Sequence, residues 1–329
     1  MPLTGEQEIS SGLASIPDIQ ILPSELLAHH TRFGLGGPAR LLVDARRPAS
    51  LHQALAALRA SQHPFLLIGG GTNLIVADSG FDGVVLRYRG DELRQNHHQV
   101  TIGSGADLEQ LVDASIAAGL SGMECLKRIP GWVGAAVYGN AGAYGQQISD
   151  HLTSVAFHDG LAVRQWSREE CGFRYRSSRF KDHRDWVILE ATFALQPGDP
   201  AALAAKAEQI RATRDEKFPP ALRCAGSIFK NLILAELPDA TQARIPLAMV
   251  KVGKVPAAWF LEQVGAKGFT RGGIRVADYH ANLVYNQGSG RAAELVELID
   301  ELKRRVTREF GIVLQEEVQY VGFPNRASY

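Results

Sequence analysis

Three consecutive glycines, Gly69-Gly70-Gly71, lie between two short apolar runs, and this stretch constrains the fold more than any other. Runs such as Leu66-Leu67-Ile68 and Leu74-Ile75-Val76 are typical of buried strands or strand ends. Adjacent glycines contribute no side-chain packing and cost backbone entropy, so they indicate that another group approaches the main chain closely. The N–H groups of such a loop can bind an anion, most often a phosphate. Thr72 and Asn73 add side-chain hydrogen bonds.

The residues that follow the glycines exclude two common nucleotide-binding loops. A P-loop requires Gly-Lys and then Ser or Thr, whereas Thr72 and Asn73 come next here. In the dinucleotide fingerprint GxGxxG the third glycine would fall on Leu74, and no helical pattern follows it. For this stretch alone, a tight structural turn is as good an interpretation as an anion-binding loop.

A second glycine-rich stretch covers residues 129–145, with the sequence IPGWVGAAVYGNAGAYG. Small residues dominate it, so a planar or extended ligand could lie against its backbone. The alternative is a tightly packed turn followed by a helix. Packing alone explains poorly why Asn140 and two tyrosines stand among so many glycines and alanines.

Composition excludes several classes of protein. Lys+Arg and Asp+Glu both number 35, so no net field attracts nucleic acid or an anionic membrane. The cysteines, Cys125, Cys171 and Cys224, form no CxxC pair, which indicates a reducing compartment with neither disulfides nor a metal site. The N-terminus lacks the apolar core of a signal peptide, and no run approaches the roughly 18 apolar residues of a membrane span. We therefore expect a soluble, cytoplasmic protein with no nucleic-acid partner and no evident obligatory protein partner.

Apolar periodicity predicts helices over residues 50–60, with Ser50 as N-cap, and over 107–118, 201–217 and 291–310. A final strand is predicted over 312–321. Strands alternating with helices indicate an α/β or α+β chain. Residues 1–20 are expected to be a flexible extension. A composition break at residues 197–200 predicts a domain over 21–197, in subdomains of about 21–90 and 91–197, and a C-terminal domain over 198–329.

Six segments together resemble one family, the UDP-N-acetylenolpyruvoylglucosamine reductases, or MurB flavoenzymes. In order they are FLLIGGGTNLIV, IPGWVGAAVYGNAGAYG, CGFRYRSSRFK, CAGSIFKN, WFLEQVGAKGFTRGGIRVADYHANLVYN and FGIVLQEEVQYVG. The resemblance implies an α+β fold. It comprises an FAD-binding domain of the vanillyl-alcohol-oxidase/p-cresol-methylhydroxylase type in two subdomains, and a C-terminal α+β substrate-binding domain.

The resemblance also implies non-covalent FAD. Two sets of residues would hold it, one at the pyrophosphate and one along the flavin and its ribityl chain. The first set is Gly69, Gly70, Gly71, Thr72, Asn73 and Leu74, and the second is Ile129, Pro130, Gly131, Gly134, Ala135, Val137, Asn140 and Ala141.

The family reaction reduces UDP-N-acetylglucosamine enolpyruvate to UDP-N-acetylmuramate, a peptidoglycan precursor, with NADPH as co-substrate. By resemblance, Ser227 is the proton donor, Arg176 stabilises charge on the substrate carboxylate, and Glu317 is the catalytic glutamate. A guanidinium can hold a carboxylate bidentately and stays charged at any working pH.

Each catalytic assignment has a plainer alternative. Ser227 precedes an apolar-rich run and could be a helix N-cap. The cations around Arg176 could form a solvated loop or, on thinner support, a nucleic-acid patch. Of the two adjacent glutamates, Glu316 is expected to be an exposed charge.

Four further residues are expected at the UDP-sugar: Lys217, Asn231, Tyr144 and His280. His280 has a structural role as its alternative. Some family members close the site with a tyrosine-bearing loop. Residues 195–206 are short and contain no tyrosine, so this chain resembles the subgroup without that loop. Which groups cap the diphosphate instead is left open by the sequence.

Two other functions fit parts of the chain. A flavin oxidase on the same scaffold would share only the FAD half, and the C-terminal segments argue against it. A non-catalytic nucleotide-binding module would use the glycine loops alone.

Overall fold

The structure is a computed structural model that describes residues 5–324 and 326. Its internal contacts divide the chain into two compact units. The first unit contains residues up to Glu25, Ala39–Gly71 and Phe81–Glu216, and the second contains Leu26–Pro38, Thr72–Gly80 and the residues from Lys217 onward. The chain therefore passes repeatedly from one unit to the other, and neither is a continuous segment.

The α-helices alternate with strands along most of the chain. They are α1 (Gly5–Ala14), α2 (Pro48–Ser61), α3 (Leu108–Ala117), α4 (Val133–Tyr138), α5 (Pro200–Lys217), α6 (Asp239–Gln242), α7 (Ala257–Gln263) and α8 (Ala292–Phe310). In the part of the chain that is described, none of these helices is long and apolar enough to cross a membrane.

The longer strands belong to the first unit, and the second unit has mostly short ones. The strands are β1 (Ile19–Pro23), β2 (Ala39–Ala45), β3 (Phe65–Ile68), β4 (Leu74–Val76), β5 (Phe81–Tyr88), β6 (Leu93–Asn96), β7 (Gln99–Gly103), β8 (Leu120–Ser121), β9 (Gly142–Ala143), β10 (Gln146–Gln147), β11 (Leu152–His158), β12 (Val163–Ser167), β13 (Val187–Ala194), β14 (Gln196–Pro197), β15 (Leu232–Ile233), β16 (Lys254–Val255), β17 (Thr270–Arg271), β18 (Ile274–Val276), β19 (Val284–Asn286) and β20 (Gln319–Val321).

Two sheets build the first unit. One has the order β1-β2-β5-β3, with β2 and β3 parallel to β5, and it packs with α2 around Leu51, Leu55 and Leu58. The other is antiparallel, with the order β12-β11-β13-β7-β6, and its core includes residues of α3 and α4. Helix α2 begins at Pro48 and not after Ser50, so the predicted N-cap is wrong. The fixed φ of proline suits the first helical turn, where its missing N–H costs nothing.

The N-terminal segment is not the irregular extension that we predicted. Helix α1 belongs to the first unit, and Ile9, Leu13 and Ile16 are buried in the core shared with α2. These residues follow one another at the spacing of one helical face. The polar and glycine residues between them concealed this stripe. Residues 1–4 lie outside the described residues.

Helix α8 organises the second unit. Its buried stripe includes Leu295, Ile299 and Leu302, all with no exposed surface, and Gly311 ends it in a left-handed conformation with φ 68°. The predicted helix is confirmed, since amphipathic periodicity and a C-terminal glycine are strong local signals. The predicted final strand is wrong over most of its length, because the regular strand there is only β20, which pairs with β4 in parallel, and Glu316 adds an isolated bridge.

The division between the units lies at Glu216/Lys217 and differs from the predicted boundary near residue 198. Helix α5 belongs to the first unit, where Leu203 and Ala207 are buried. The composition break before it is only the turn into the helix: the Gly198 N–H donates to the Gly119 carbonyl, and Asp199 accepts from the Ala202 N–H.

Candidate functional site

In the first unit the two glycine-rich stretches pack against each other. A Cβ added to Gly69 would lie 3.3 Å from the Cβ of Ala135, and one added to Gly70 would lie 3.1 Å from Cδ1 of Trp132. Such distances are tighter than ordinary van der Waals contact, so a side chain at either position would force its neighbour to shift by a few tenths of an ångström. The group that the sequence predicted to approach Gly69 and Gly70 therefore includes the second stretch itself.

The loop after β3 presents main-chain donors. Gly71 has φ 69°, a left-handed conformation that favours glycine. Among the described residues, no group accepts a hydrogen bond from the N–H of Gly70 or Gly71. Backbone N–H groups in such turns can bind an anion. This supports the anion-binding interpretation over the plain turn.

The next residues of the loop, Thr72, Asn73 and Leu74, belong to the second unit. Nδ2 of Asn73 donates to the Glu317 carbonyl oxygen at 2.7 Å, and the Gln319 N–H donates to the Asn73 carbonyl oxygen at 3.0 Å. Leu74 is buried at the start of β4. Asn73 thus holds the main chain at Glu317, and a cofactor contact from the same residue stays a prediction.

The small-residue stretch forms α4 and the turn after it. Gly134 lies against Ser104, because an added Cβ would come within 2.7 Å of the Ser104 Cβ. Asn140 is fully buried, and its Nδ2 donates to Oε1 of Gln147 at 2.9 Å and to the Arg174 carbonyl oxygen at 3.0 Å. No described residue donates a hydrogen bond to Oδ1 of Asn140. A buried acceptor without a donor is costly, which indicates that a ligand completes it.

Arg176 lies at the end of this small-residue stretch. Its backbone is left-handed, with φ 54°, and its Nη2 donates to the Gly142 carbonyl oxygen at 3.0 Å. Lys181 donates to the Arg176 carbonyl oxygen at 2.8 Å, and Ser178 donates to the Tyr138 carbonyl oxygen at 2.7 Å. The loop around Arg176 is therefore built into the fold. Lys181 fixes its backbone, so the solvated-loop alternative does not hold for Arg176 and Lys181, whereas Arg174 and Arg179 are exposed as that alternative expects.

Sequence reasoning missed Arg214, which lies on α5 in the same unit. Its Nε donates to the Arg128 carbonyl oxygen at 3.3 Å, and Nε of Arg128 bonds Oδ1 of Asp215 at 2.7 Å. Burial lowers the pKa of Arg214, Tyr144 opposes this, and the positive charges of Arg176 and Arg128 lower it further. Three arginines thus share one part of the first unit, where they favour an anion. The signal in the sequence that could have identified Arg214 is its position on the predicted helix, three residues before Lys217.

In the second unit Ser227 and Glu317 are brought together by main-chain hydrogen bonds. Ser227 forms an isolated β-bridge with Leu283, and no helix begins there, so the N-cap alternative is wrong. The Glu317 N–H donates to the Ile228 carbonyl oxygen at 2.7 Å, and Phe229 forms a bridge with Glu316. Ile228 and Glu317, which are 89 positions apart in the sequence, are thereby neighbours.

Asn282 holds this arrangement, and sequence reasoning did not single it out. It is 2% exposed, its Oδ1 accepts from the Phe229 N–H, and its Nδ2 donates to the Phe229 carbonyl oxygen, both at 2.9 Å. Its own carbonyl oxygen accepts from the Ile228 N–H at 3.1 Å. One amide side chain therefore satisfies both polar groups of the residue two places after Ser227.

The adjacent glutamates differ in their partners. Glu316 forms ion pairs with Lys303 at 2.8 Å and with Arg326 at 3.5 Å, and its side chain is only 17% exposed. The expectation that Glu316 is an exposed charge is wrong. Its carboxylate already serves the structure, which supports Glu317 as the functional one of the two.

The residues predicted for the UDP-sugar fall in both units. Oδ1 of Asn231 accepts from the Ala257 N–H at 3.3 Å, and the Lys217 carbonyl oxygen accepts from Tyr279 at 3.3 Å. Nδ1 of His280 accepts from the Asn282 N–H at 3.2 Å. Burial and the positive charge of Lys217 lower the pKa of His280 to about 4. Tyr144 is 57% exposed, at the turn between β9 and β10 of the first unit.

Comparison with known proteins agrees with this geometry. Residues 39–161 match an FAD binding domain, and residues 218–321 match the C-terminal domain of UDP-N-acetylenolpyruvoylglucosamine reductase. The chain is 52% identical to the UDP-N-acetylenolpyruvoylglucosamine reductase of Solibacter usitatus, over 94% of this chain and 99% of that protein. It is 33% identical to the reductase of that name from Carboxydothermus hydrogenoformans, over 92% and 94%.

The chain belongs to the UDP-N-acetylenolpyruvoylglucosamine reductase, or MurB, family. A solved structure of MurB from Thermus caldophilus is similar over 92% of this chain and 98% of that one, with a TM-score of 0.70 and 28% identity. The predicted family and the predicted fold, an FAD-binding domain followed by the MurB C-terminal domain, are confirmed.

FAD fits the residues of this MurB family member. The buried Oδ1 of Asn140 lacks a donor among the described residues, and the N–H groups of Gly70 and Gly71 lack an acceptor there. A flavin carries hydrogen-bond donors and a pyrophosphate carries acceptors, so FAD could complete both. The described residues include no group of three or more side chains that could hold a metal ion.

Proposed function

We propose that this protein reduces UDP-N-acetylglucosamine enolpyruvate to UDP-N-acetylmuramate with NADPH and FAD, in the synthesis of peptidoglycan precursors. The observation that carries the proposal is the main-chain pairing that holds Ser227 next to Glu317 in a chain of this family. The buried thiols of Cys125, Cys171 and Cys224 are free, which supports a reducing, cytoplasmic location.

FAD, when bound, supplies the hydride that NADPH provides. The loop of Gly69, Gly70, Gly71, Thr72, Asn73 and Leu74 would hold its pyrophosphate through backbone N–H groups. The bed formed by Ile129, Pro130, Gly131, Gly134, Ala135, Val137, Asn140 and Ala141 would lie along its flavin and ribityl chain. The protein's part is to bind, orient and supply charge and a proton.

Arg176 is the residue we assign to the substrate carboxylate. Hydride addition at the terminal carbon of the enolpyruvyl double bond leaves negative charge on the neighbouring carbon and its carboxylate. The guanidinium of Arg176 is held by the Gly142 carbonyl oxygen and its main chain by Lys181, so it can stabilise this charge without reorganising. Arg128 and Arg214 would add to the positive potential in the same unit.

Ser227 is the residue we assign to proton donation. Its Oγ would give its proton to the carbon that carries the charge, and the resulting alkoxide would recover a proton from water. Overall, NADPH, one proton and the substrate give NADP⁺ and the saturated product. A serine hydroxyl is a weak acid, so neighbouring groups must assist it. We assign this role to Glu317, which would orient the substrate or a water, and to Lys230.

Lys217, Asn231, Tyr144 and His280 are the proposed contacts of the UDP-sugar. Lys217 is suited to a diphosphate, and Asn231 to a hydrogen bond. Hydrogen bonding to the Asn282 N–H directs the lone pair of Nδ1, so neutral His280 carries its proton on Nε2 and can donate it. The lowered pKa keeps His280 neutral at physiological pH.

The test separates the two half-reactions. The purified protein is reduced by NADPH without oxygen, UDP-N-acetylglucosamine enolpyruvate is added, and the visible flavin band is followed by stopped flow. We expect rapid reoxidation by the substrate. Ser227→Ala should reduce normally but reoxidise ~10²–10⁴-fold more slowly, the usual cost of losing an acid catalyst.

The exposed Ser289 of the same unit provides the matched control, and Ser289→Ala should reoxidise at the wild-type rate. Flavin that stays reduced until air is admitted would contradict the reductase and favour an oxidase. Ser227→Ala with full turnover would remove Ser227 from its role.

A further inference from the structure

Trp132 is the one large side chain between Pro130 and Val137 in a stretch otherwise built from small and aliphatic residues, and the function proposed above gives it no role. Its backbone is held on both sides, since the Leu108 N–H donates to the Gly131 carbonyl oxygen at 2.8 Å and the Ala136 N–H donates to the Trp132 carbonyl oxygen at 3.0 Å. The main chain that carries the indole is therefore fixed by the fold.

The pyrrole ring of this indole lies against the anion-binding loop. A Cβ added to Gly70 would lie 3.1 Å from both Cδ1 and Nε1 of Trp132. The pyrrole ring, and Nε1 with it, therefore lies beside the loop whose Gly70 and Gly71 N–H groups lack an acceptor among the described residues. None of the described residues accepts a hydrogen bond from Nε1 of Trp132 either. Indole nitrogen can act only as a donor.

Two arginines lie over the ring of Trp132. Cζ of Arg89 is 4.8 Å and Cζ of Arg87 is 5.6 Å from the ring centroid. A cation over an indole face is attracted by its π electrons, and it draws electron density from the ring, which makes the N–H a better donor.

The two arginines differ in how far their guanidinium groups are already engaged by other protein groups. Arg87 is buried in a bidentate ion pair with Asp44, at 2.6 and 2.7 Å. Arg89 lies 3.6 Å from the same carboxylate, its side chain is 37% exposed, and no described residue accepts a hydrogen bond from its guanidinium. One carboxylate faces two guanidinium groups, so these three side chains together carry a net positive charge.

We propose that Trp132 Nε1 and the Arg89 guanidinium donate to the phosphate groups of the cofactor held at Gly70 and Gly71. This inference rests on the proposed binding of FAD. The ligand class is a dinucleotide pyrophosphate. Trp132 and Arg89 are binding residues that add side-chain donors to the main-chain ones, and Arg87 and Asp44 position the guanidinium against the ring.

Titration of the apoprotein with FAD tests the proposal through the quenching of FAD fluorescence. Trp132→Phe keeps the ring for the arginines and removes the N–H. We expect the dissociation constant to rise about tenfold, the size of one lost hydrogen bond to a charged group. Arg89→Gln should raise it by a similar factor, and it should lower the dependence of FAD affinity on salt because one cation no longer meets a phosphate.

Riboflavin, which has no phosphate, distinguishes a phosphate contact from a ring contact. Trp132→Phe and Arg89→Gln should bind riboflavin as the wild type does. Trp186→Phe, in the same unit and stacked on His183, is the matched control and should leave FAD affinity unchanged.

The outcomes of the FAD and riboflavin titrations separate the proposed function from the proposed phosphate contact. If the wild type does not bind FAD, the proposed function fails. If it binds FAD and both variants bind it equally well, only the present inference is overturned. An equal loss of riboflavin affinity would place the indole on the flavin and overturn the phosphate assignment.

Discussion

The two glycine-rich stretches of the first unit and the Ser227–Glu317 pairing of the second unit differ in how complete their hydrogen bonding is. In the first, Oδ1 of Asn140 and the N–H of Gly70 have no partner among the described residues. In the second, the main-chain groups of Ile228, Phe229 and Glu317 are bonded through Asn282 and one another.

This difference indicates two strategies for building a site. Groups that must bind a cofactor cannot also satisfy one another, so that region gains stability when the cofactor arrives. Groups that must hold a proton donor in place are satisfied by the protein itself, so the geometry exists before any ligand binds.

The largest expected effect tests the adjacent glutamates of the second unit. Glu317→Gln should slow flavin reoxidation by the enolpyruvyl substrate ~10²-fold or more, as loss of an acid–base group does. Glu316→Gln is the matched control: it should lower the urea midpoint by weakening the ion pairs with Lys303 and Arg326, with reoxidation retained. Reversed effects in the two variants would assign the catalytic role to Glu316.

Hydrogen exchange compares the two regions directly. With FAD at about 100 times its dissociation constant, the amides of Gly70 and Gly71 should exchange ~100-fold more slowly than in the apoprotein. The amides of Phe229 and Glu317 should be protected already without FAD, because they are bonded to Asn282 and Ile228. If the amides of both regions gained protection equally on addition of FAD, the proposed difference between the two regions would be contradicted.

Truncation of Asn282 should destabilise the second unit without any ligand. Asn282→Ala leaves the buried N–H and carbonyl of Phe229 without partners, and we expect a loss of about 2 kcal/mol or more in the free energy of unfolding. Denaturant unfolding measures it. Asn282→Gln carries the same amide on a longer side chain and tests whether the position of the amide matters for stability. FAD affinity should be unchanged in both variants. An unchanged stability in Asn282→Ala would show that the amide contributes little.

The smallest effect concerns pH. Burial and Lys217 lower the pKa of His280 to about 4, so between pH 6.5 and 4 the unfolded chain binds the proton and the folded chain does not. This contribution to stability is complete above pH 6.5 and is lost as pH falls, on the order of 1 kcal/mol by pH 5.5. His280→Gln should flatten the pH dependence of the urea midpoint between pH 7 and 5.5. If the urea midpoint of His280→Gln depended on pH as that of the wild type does, the lowered pKa of His280 would be contradicted.

Local patterns predicted part of this molecule well. Helix α8 follows from its apolar stripe and Gly311, and the glycine stretches identified the loop and bed that the structure packs together at Gly69–Ala135 and Gly70–Trp132. The family segments also led to the assignment of Arg176, Ser227 and Glu317 as catalytic residues, which stays a prediction. In each case the signal lies within a few residues, where helical period, backbone freedom and side-chain type act directly.

What the sequence by itself determined is therefore the class of element and the chemistry of its residues. Only the tertiary structure decided that α1 packs in the first unit, that α5 and Arg214 belong there, and that Asn282 clamps Phe229. The reason is distance along the chain: Asn73 and Glu317 are 244 residues apart, and Phe229 and Asn282 are 53 apart. No local period encodes such pairs, because they form only when burial brings the segments together.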